Sequence, residues 1–581
     1  MTAGIEMSSS VKLAVDAGSE IRNDPFTLEG WGWSSRPDEC VPKISALASL
    51  LNLAPPDAVA SVGYKSQGNL LIVAGDEPER ARRAAAALAS SLHVTLLGAK
   101  AESDAVTSWP GRIETLTGYL GEFTASVVGL ADGAQAKPAK FDLVLDFSGA
   151  PLFAMRQPPQ GYHHAPADAA GLERVLAELR ESVGEFDKPR YFAYRENLCA
   201  HSRSEIQGCN ACIEICSTEA ISSDGDHVKV DPHLCMGCGA CSTVCPSGAM
   251  GYQFPRVADR GAQVKQLLST YRHAGGEDAC IVFHNGADGR DLLAAAATGG
   301  AGLPARALPL ETWHVAAVGL DLLLPAIAFG ASQVVVLAAG SEDAEYLGAL
   351  RAQMAIGEAV LHQLGYAGTH FAVIEAAAPA ALDQAFAALA PAEGVAMAAT
   401  FLLGNDKRTA IEFAVEHLLK HAPTRVDEIA LAVGAPFGQV IVDKAKCTMC
   451  MACVGACPES ALMDGVDQPL IKFLERNCVQ CGLCESTCPE EAIALAPRLL
   501  LTPAVREARV LNETQPFHCV RCSKPFGTRQ MVDAMLGRLA GHSMFTQADA
   551  LRRLQMCADC RVVDMMSSKN EASVLGLGAD S

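Results

Sequence analysis

Clustered cysteines are the residues of this 581-residue chain whose type and spacing could do chemistry. Two runs share the spacing C-x2-C-x2-C-x3-C-P, and their members are Cys447, Cys450, Cys453, Cys457 and Pro458, then Cys478, Cys481, Cys484, Cys488 and Pro489. Three thiolates spaced in this way on one tight loop can hold three irons of a single cubane, so the spacing is typical of [4Fe–4S] ligation. Its repetition predicts two iron–sulfur clusters and argues against zinc.

The two runs resemble those of bacterial two-[4Fe-4S] ferredoxins. In that family the fourth cysteine of each run, which begins the next helix, ligates the other cluster. The resemblance therefore implies two ligand sets, which are Cys447, Cys450, Cys453 with Cys488, and Cys478, Cys481, Cys484 with Cys457.

An earlier block repeats the pattern with one change. Its regular run comprises Cys235, Cys238, Cys241, Cys245 and Pro246. Its other run keeps Cys209, Cys212 and Cys216, but Ile206 stands where a first cysteine would be, and Cys199 lies seven residues earlier. We expect an insertion to have displaced the first ligand, which gives the sets Cys199, Cys209, Cys212, Cys245 and Cys235, Cys238, Cys241, Cys216. The competing interpretation is a three-cysteine site, completed by His201 or holding a [3Fe-4S] cluster.

A third block has a different pattern, two C-x2-C knuckles separated by a helical stretch. The knuckles are Cys519 with Cys522 and Cys557 with Cys560. Four thiolates in this arrangement predict a closed tetrahedral site for structural zinc. A rubredoxin-like iron or a fifth iron–sulfur cluster is the alternative, and His542 between the knuckles is predicted to be a surface residue. Cys280, which opens an apolar strand, is predicted to be a small buried hydrophobe, and Cys40 is unassigned.

Composition excludes several classes of protein. The 22 cysteines are clustered in a long chain, which indicates metal ligation and not a disulfide scaffold. The net charge of −20 argues against nucleic acid or an anionic membrane as the main partner. The apolar stretch 315–340 contains Asp321 and Pro325, and a buried helix followed by a buried strand explains it better than a membrane span. With no export signal at its start, the chain is predicted to be cytoplasmic.

Strands alternate with helices in two regions, which predicts α/β architecture with a doubly wound parallel sheet in the centre. We predict a multidomain α/β plus α+β protein with these parts: an N-terminal α/β domain over 1–190, a two-[4Fe-4S] domain over 191–255, a parallel α/β domain over 262–440, a second two-[4Fe-4S] domain over 441–500 and a zinc-ribbon-like domain over 510–570. His163 and His164 are predicted to be solvated residues of a loop over 161–166.

The central region resembles the delta subunit of methyl-viologen-reducing hydrogenase, which is also fused to some heterodisulfide reductase A subunits. The residues that carry the resemblance are the run Ala326–Gly340, then Glu345, Tyr346 and Arg351. The cysteines with which that family binds a [2Fe-2S] cluster have no match here, and Ala344 stands near the position of one of them. The resemblance implies an α/β fold and a docking or relay role without that cluster.

The sequence thus predicts an electron-transfer protein with four [4Fe–4S] clusters and a structural zinc. The resemblance implies a subunit that relays single electrons between a partner, such as a formate dehydrogenase or hydrogenase, and an acceptor. The alternative is an oxidoreductase with its own flavin site in an α/β domain. No G-x-G-x-x-G follows a predicted strand, but flavodoxin-like sites do not need one.

Overall fold

The computed structural model describes residues 40–129, 138–340, 342–466, 468–545 and 548–567. The chain folds into two compact units, each built from separate stretches of sequence. The described residues of 1–59, 237–243 and 252–423 form the first unit, and those of 60–236, 244–251 and 424–581 form the second.

The first unit contains a four-stranded parallel sheet. In spatial order its strands are Ala307–Thr312, Cys280–Asn285, Gln333–Ala338 and Phe371–Glu375. The helices of this unit are Val41–Ser49, Val257–His273, Asp288–Gly299, Leu320–Ala328, Ala344–Gln363, Pro379–Ala388 and Lys407–Lys420. The three strands at one side of the sheet are buried along almost their whole length, which is why they read as continuous apolar runs. The predicted parallel sheet is confirmed.

The apolar stretch 315–340 is a buried helix followed by a buried strand, as the sequence predicts. Every residue of Leu320–Ala328 is buried, including Asp321 and Pro325. Gly330 ends the helix with φ +104°, a conformation that favours glycine, and the chain then enters Gln333–Ala338. Among the described residues, we find no helix with the length and apolarity that crossing a membrane requires.

The second unit begins with a five-stranded parallel sheet. In spatial order its strands are Thr107–Trp109, His93–Leu97, Asn69–Val73, Leu143–Asp146 and Tyr162–His164. The helices Pro78–Leu88 and Ala169–Glu181 accompany it, and Asp168 caps the second through its bond with the Gly171 N–H. Arg112–Thr117, Phe123–Val128 and Ala139–Phe141 form an antiparallel sheet, and Ser61–Ser66 pairs with Gly184–Pro189.

The histidine pair is not in a loop, which corrects that prediction. Residues Tyr162–His164 form an edge strand, because the chain returns alongside Leu143–Asp146. Nδ1 of His163 lies 3.8 Å from Oε2 of Glu178, and burial lowers the pKa of this histidine. Nε2 of His164 lies 2.7 Å from the Ser148 carbonyl oxygen. Both rings therefore have protein partners.

The cysteine runs of both blocks lie on loops followed by helices of four or five residues. These helices are Ala211–Ile215, Ala240–Val244, Ala452–Ala456 and Leu483–Ser486. Short antiparallel strands surround the later block: Gly438–Val442 and Glu428–Ala430 pair with Ile493–Leu500, and Leu470–Phe473 pairs with Leu462–Asp464 and Arg509–Glu513. In the earlier block Ile221–Asp224 pairs with His227–Val230.

In its described residues, the C-terminal part of the second unit contains a hairpin, a short 3-10 helix at Ser543–Phe545 and three α-helices. Pro516–His518 pairs with Pro525–Thr528, and the first cysteine knuckle lies at the turn between them. The helices are Arg529–Leu539, Ala548–Leu554 and Ala558–Ser567. The second knuckle opens the last helix, so the two knuckles lie in different kinds of local structure.

Candidate metal centres

The backbone turns sharply around the middle cysteine of three runs. The residues before and after it have positive φ, and they are Gly237 and Gly239 beside Cys238, Met449 and Met451 beside Cys450, and Gln480 and Gly482 beside Cys481. Left-handed residues reverse the direction of the chain within a few positions. Such a loop can turn three thiols toward one point, as cubane ligation requires.

A hairpin explains the displaced cysteine of the remaining run. Ser202–Arg203 pairs antiparallel with Ile206–Gln207, so the inserted residues leave the loop and return to it. The return is closed by two backbone bonds, from the Cys209 N–H to the Ala200 carbonyl at 2.8 Å and from the Gly208 N–H to the His201 carbonyl at 2.7 Å. Cys199 therefore lies beside Cys209 although nine residues separate them.

Four cysteines of the earlier block lie close enough to act on one another electrostatically. Burial, followed by the charges of Cys245, Cys209 and Cys199, raises the pKa of Cys212 to about 12. The pKa of Cys209 is raised by burial too, with contributions from Cys245 and Cys199. Metal ligation requires thiolates, and adding positive charge at this point would reverse the shift.

His201 is engaged elsewhere. Its Nδ1 lies 3.2 Å from the Cys209 carbonyl oxygen and its Nε2 lies 2.8 Å from the Ser223 hydroxyl. Both ring nitrogens therefore have hydrogen-bonding partners, which favours Cys199 over His201 as the fourth member of this group.

A small pocket in the later block is lined by Cys447, Cys450, Cys453 and Cys488. Burial, followed by the charges of the other three, raises the pKa of Cys453 to about 12. The four thiols thus surround one space, and the set is the one that the ferredoxin resemblance implies. Cys450 is the exposed member.

A second small pocket is lined by Cys457, Cys478, Cys481 and Cys484. Burial, together with the charges of Cys457 and Cys478, raises the pKa of Cys481 to about 12. Cys457 belongs by sequence to the other run, so this pocket is lined by the four cysteines of the set that the resemblance implies. That these four ligate one cluster stays a prediction.

Backbone N–H groups reach the sulfurs of the fourth cysteines. The Ala461 N–H donates to Sγ of Cys457 at 3.3 Å, and the Ala492 N–H donates to Sγ of Cys488 at 3.3 Å. In the earlier block the Met250 N–H lies 3.5 Å from Sγ of Cys245. Such bonds favour the thiolate and help to set the potential of an attached cluster.

The remaining predicted set comprises Cys216, Cys235, Cys238 and Cys241. Cys216 and Cys235 belong to the second unit, and Cys238 and Cys241 belong to the first. The loop before Cys235 is held by Lys188, whose Nζ donates to the carbonyls of His233 at 2.7 Å and Cys235 at 2.8 Å. The grouping of these four cysteines stays a prediction.

The four cysteines of the third block converge tightly. The Sγ atoms of Cys519, Cys522, Cys557 and Cys560 all lie within 4.8 Å of one another, and those of Cys522 and Cys557 are 3.7 Å apart. A tetrahedral site with Zn–S bonds of about 2.3 Å has sulfur–sulfur edges of about 3.8 Å. The spacing therefore fits one ion of this size at the centre.

Two cysteines of this block have pKa values that shift in opposite directions, lowered at Cys519 and raised at Cys560. Burial raises the pKa of Cys519, but N–H groups of Cys557, Cys522 and Arg521 outweigh it and bring the pKa to about 6. The hydrogen bond with Cys522 is the largest cause that raises the pKa of Cys560 to about 12. His542, predicted to be a surface residue, is exposed.

One group of ligand-type side chains was not predicted from the sequence. Glu358, His362 and His370 lie in the first unit with their ligand atoms within 4.8 Å of one another. The Glu-x3-His spacing places the first two on one face of a helix, which is a readable signal. His370 lies on the following strand, and nothing in the sequence indicates that it joins them.

Comparisons with known proteins agree with the chemistry of the two large blocks. The family of 4Fe-4S dicluster domains matches residues 207–249 and, in a second form, residues 446–493. Proteins named "Putative formate dehydrogenase" from Staphylococcus aureus strains USA300, Mu50 and N315 are 32% identical over 95 residues. This segment is 15% of the chain and 10% of each relative, so the chain matches about a tenth of their length. The chain therefore contains two 4Fe-4S ferredoxin-type domains and has iron–sulfur electron-transfer chemistry.

Proposed function

We propose that this chain is a relay subunit with four [4Fe–4S] clusters, which passes single electrons between a partner oxidoreductase and an acceptor. The ligands are the four predicted sets, namely Cys199, Cys209, Cys212, Cys245; Cys235, Cys238, Cys241, Cys216; Cys447, Cys450, Cys453, Cys488; and Cys478, Cys481, Cys484, Cys457. A cluster bound in this way accepts and returns one electron, and the protein determines its spacing and surroundings.

The observation that carries the proposal is the contact between the two blocks. A Cβ atom on Gly208 would lie 2.6 Å from Cγ of Leu483, so the loop of Cys209 passes directly against the helix that follows Cys481. The charge of Cys209 contributes to the raised pKa of Cys481, and that of Cys453 to the raised pKa of Cys484. These neighbours support a series that runs from the Cys199 set through the Cys478 set to the Cys447 set.

The Cys447 set, at the other end of this series, supports contact with a partner. Cys450 is exposed, whereas Cys478 and Cys484 of the next set are buried. The hydroxyl of Thr528 donates to the Thr448 carbonyl at 3.1 Å, so the C-terminal hairpin packs on the loop that carries Cys450. A zinc ion held by the third block would keep this hairpin folded, which is a structural role.

The identity of the partner is proposed from the relatives. The matched segment belongs to proteins named "Putative formate dehydrogenase", and an oxidoreductase of this kind or a hydrogenase is the partner that we propose. The net charge of −20 would steer the chain to a basic patch on that partner, with an association rate that falls as salt increases.

Cofactor analysis of anaerobically purified protein tests the proposal. We expect about 16 irons with equal sulfide, zinc with four sulfur neighbours in X-ray absorption, and no flavin. About eight irons would refute the four-cluster assignment. Stoichiometric flavin would favour the second candidate, an oxidoreductase with its own active site. That candidate is supported by the four-stranded sheet of the first unit, whose order 2-1-3-4 matches the first four strands of the flavodoxin-like order 2-1-3-4-5.

The contact between the blocks gives a separate prediction for Gly208→Ala. The new methyl group would lie 2.6 Å from both the Ala200 carbonyl oxygen and Cγ of Leu483, so either the hairpin return or the Leu483 side chain must move. We expect the free energy of unfolding to fall by about 1–3 kcal/mol. We also expect weaker magnetic coupling between reduced clusters of the two blocks in EPR spectra.

Gly455→Ala is the matched control. Gly455 lies in the helix Ala452–Ala456 beside Cys453, and a Cβ atom added there meets no atom within 4 Å. This variant should keep the stability, the iron content and the EPR spectrum. If both variants behave like the wild type, the blocks are not in direct contact through Gly208.

A further inference from the structure

Three side chains of the first unit meet where a long helix passes the start of the outer strand of the sheet. Glu358 and His362 lie one turn apart on Ala344–Gln363, and His370 immediately precedes Phe371–Glu375. Oε2 of Glu358 lies 3.1 Å from Nδ1 of His370 and 3.3 Å from Nε2 of His362. One carboxylate oxygen thus faces two imidazole nitrogens.

These distances suit a metal ion. In a tetrahedral site with Zn–N bonds of about 2.0–2.1 Å and Zn–O bonds of about 2.0–2.2 Å, neighbouring ligand atoms are about 3.3–3.5 Å apart. The two nitrogen–oxygen distances, 3.1 and 3.3 Å, require only small adjustments to reach this value. Two imidazoles and one carboxylate form a donor set that divalent transition metals accept.

The surroundings hold two of the three ligands in place. Oε1 of Glu358 accepts bonds from the backbone N–H groups of His370 at 2.6 Å and Phe371 at 2.7 Å, which directs Oε2 toward the imidazoles. Nε2 of His370 lies 3.1 Å from the Glu393 carbonyl oxygen. Metal-bound histidines regularly donate their second N–H to such an acceptor, and this bond leaves Nδ1 of His370 as the ligand atom.

Burial distinguishes a fixed part of the group from an adjustable one. The His370 side chain is fully buried, that of Glu358 is 18% exposed, and that of His362 is 57% exposed. Nε2 of His362 also lies 2.8 Å from the Gly368 carbonyl oxygen, so its ring must exchange this bond for the metal. Being on the surface, His362 can make that change without disturbing the core, and the remaining coordination position would face solvent.

A plain ion pair is the competing explanation. An ion pair would join Glu358 to each histidine separately, yet the same oxygen, Oε2, lies 3.1 Å from Nδ1 of His370 and 3.3 Å from Nε2 of His362. A metal ion between the three groups would let this single carboxylate oxygen serve both histidines.

We propose that Glu358, His362 and His370 form a three-ligand site for a divalent transition metal, with zinc as the reference ion and water in the fourth position. The site contains no cysteine and belongs wholly to the first unit. It is therefore independent of the four cluster sets and of the four-cysteine site, and the iron content of the protein does not bear on it.

Zinc binding by the full-length, cluster-loaded protein tests the proposal. After equilibrium dialysis against buffered Zn²⁺, we expect one zinc more in the wild type than in His362→Ala, whose affinity at this site should fall at least about 100-fold, since loss of an outer hydrogen bond alone costs 10–100-fold. The zinc absorption edge should lose a nitrogen and oxygen shell and keep its sulfur shell. Circular dichroism reports the fold of the variant.

His273→Ala is the matched control, because His273 is an exposed histidine near the end of a helix in the same unit, bonded to the Ser269 carbonyl. It should bind as much zinc as the wild type. Equal zinc in the wild type and His362→Ala would overturn the proposal and leave the ion pair as the function of these residues. Loss of zinc with a sulfur shell would overturn it too, because the effect would then lie at the four-cysteine site.

Discussion

Cys199→Ala should remove about four of about 16 irons per chain, which is the content of one cubane. The physical reason is the hairpin return, which places Cys199 beside Cys209 and within the electrostatic reach of Cys212. Alanine is preferable to serine because it offers no ligand atom. Iron and sulfide analysis of anaerobically purified protein, with EPR of the reduced state, measures the effect.

The companion variant is His201→Ala. If Cys199 is the ligand, this variant loses only the hydrogen bonds to the Ser223 hydroxyl and the Cys209 carbonyl and keeps all its iron. The reverse pattern, with full iron in Cys199→Ala and a loss in His201→Ala, would establish the three-cysteine interpretation. Full iron in both variants would mean that neither residue is a ligand.

Glu475→Gln should lower the free energy of unfolding by about 3–5 kcal/mol, the usual result of removing one partner from a buried ion pair. The Glu475 side chain is only 3% exposed, and its carboxylate bonds with Nε and Nη2 of Arg498 and with Nη1 of Arg509 at 2.7–2.8 Å. The Glu475 carbonyl also accepts the Cys478 N–H at 3.0 Å. The loss of stability should therefore appear as easier release of iron from the Cys478 set.

The effect of Glu475 depends on pH in a defined direction. Burial raises the pKa of this carboxyl, but the hydrogen bonds and charges of Arg498 and Arg509 outweigh it, so the pKa in the folded state is lowered. The contribution of the Glu475 carboxylate to the free energy of unfolding is present above the unfolded-state pKa of about 4.3. It is lost as the pH falls through the lower folded-state pKa. Denaturation curves of the wild type and Glu475→Gln should therefore converge in acid.

Glu428→Gln supplies the control on the same arginine. Glu428 bonds with Nη1 of Arg498 at 2.7 Å, but its side chain is 58% exposed, and such a surface pair contributes about 0–1 kcal/mol. Equal stabilities of the two variants would contradict the assignment of the buried network to Glu475.

Spacing made the cysteine loops predictable, because a cubane accepts thiolates in only a few arrangements. The runs around Cys450 and Cys481 repeat one backbone turn, and two cavities are lined by the implied sets. The parallel sheet of the first unit followed from strands buried on both faces. In these cases a local pattern, the cysteine spacing or the apolar run, directly reflects a physical requirement, cluster ligation or burial on both faces of a sheet.

Features that depend on the path of the chain could not be read from the sequence. The return of Cys199 depends on a hairpin of two-residue strands, too short for a periodic signal. The contact of Gly208 with Leu483 joins residues 275 positions apart and depends on how the two blocks pack. The sequence indicates a loop at His163, where the chain forms an edge strand, because three residues give no alternation to recognise.

The left-handed turns around the middle cysteines have one more consequence. Two of the six positions are Met449 and Met451, where an L-residue costs about 1–2 kcal/mol more than glycine would. Met449 is buried against the core of its block, with 1% exposure, so a side chain closes a space beside Cys450 that glycine would leave open to water. The solvent exposure of the ligand sulfurs helps to set the reduction potential of a cluster. The same strained loop therefore affects both the reduction potential and the stability of the fold. Glycine in place of the left-handed methionines would remove this strain and would also change the reduction potential of the cluster.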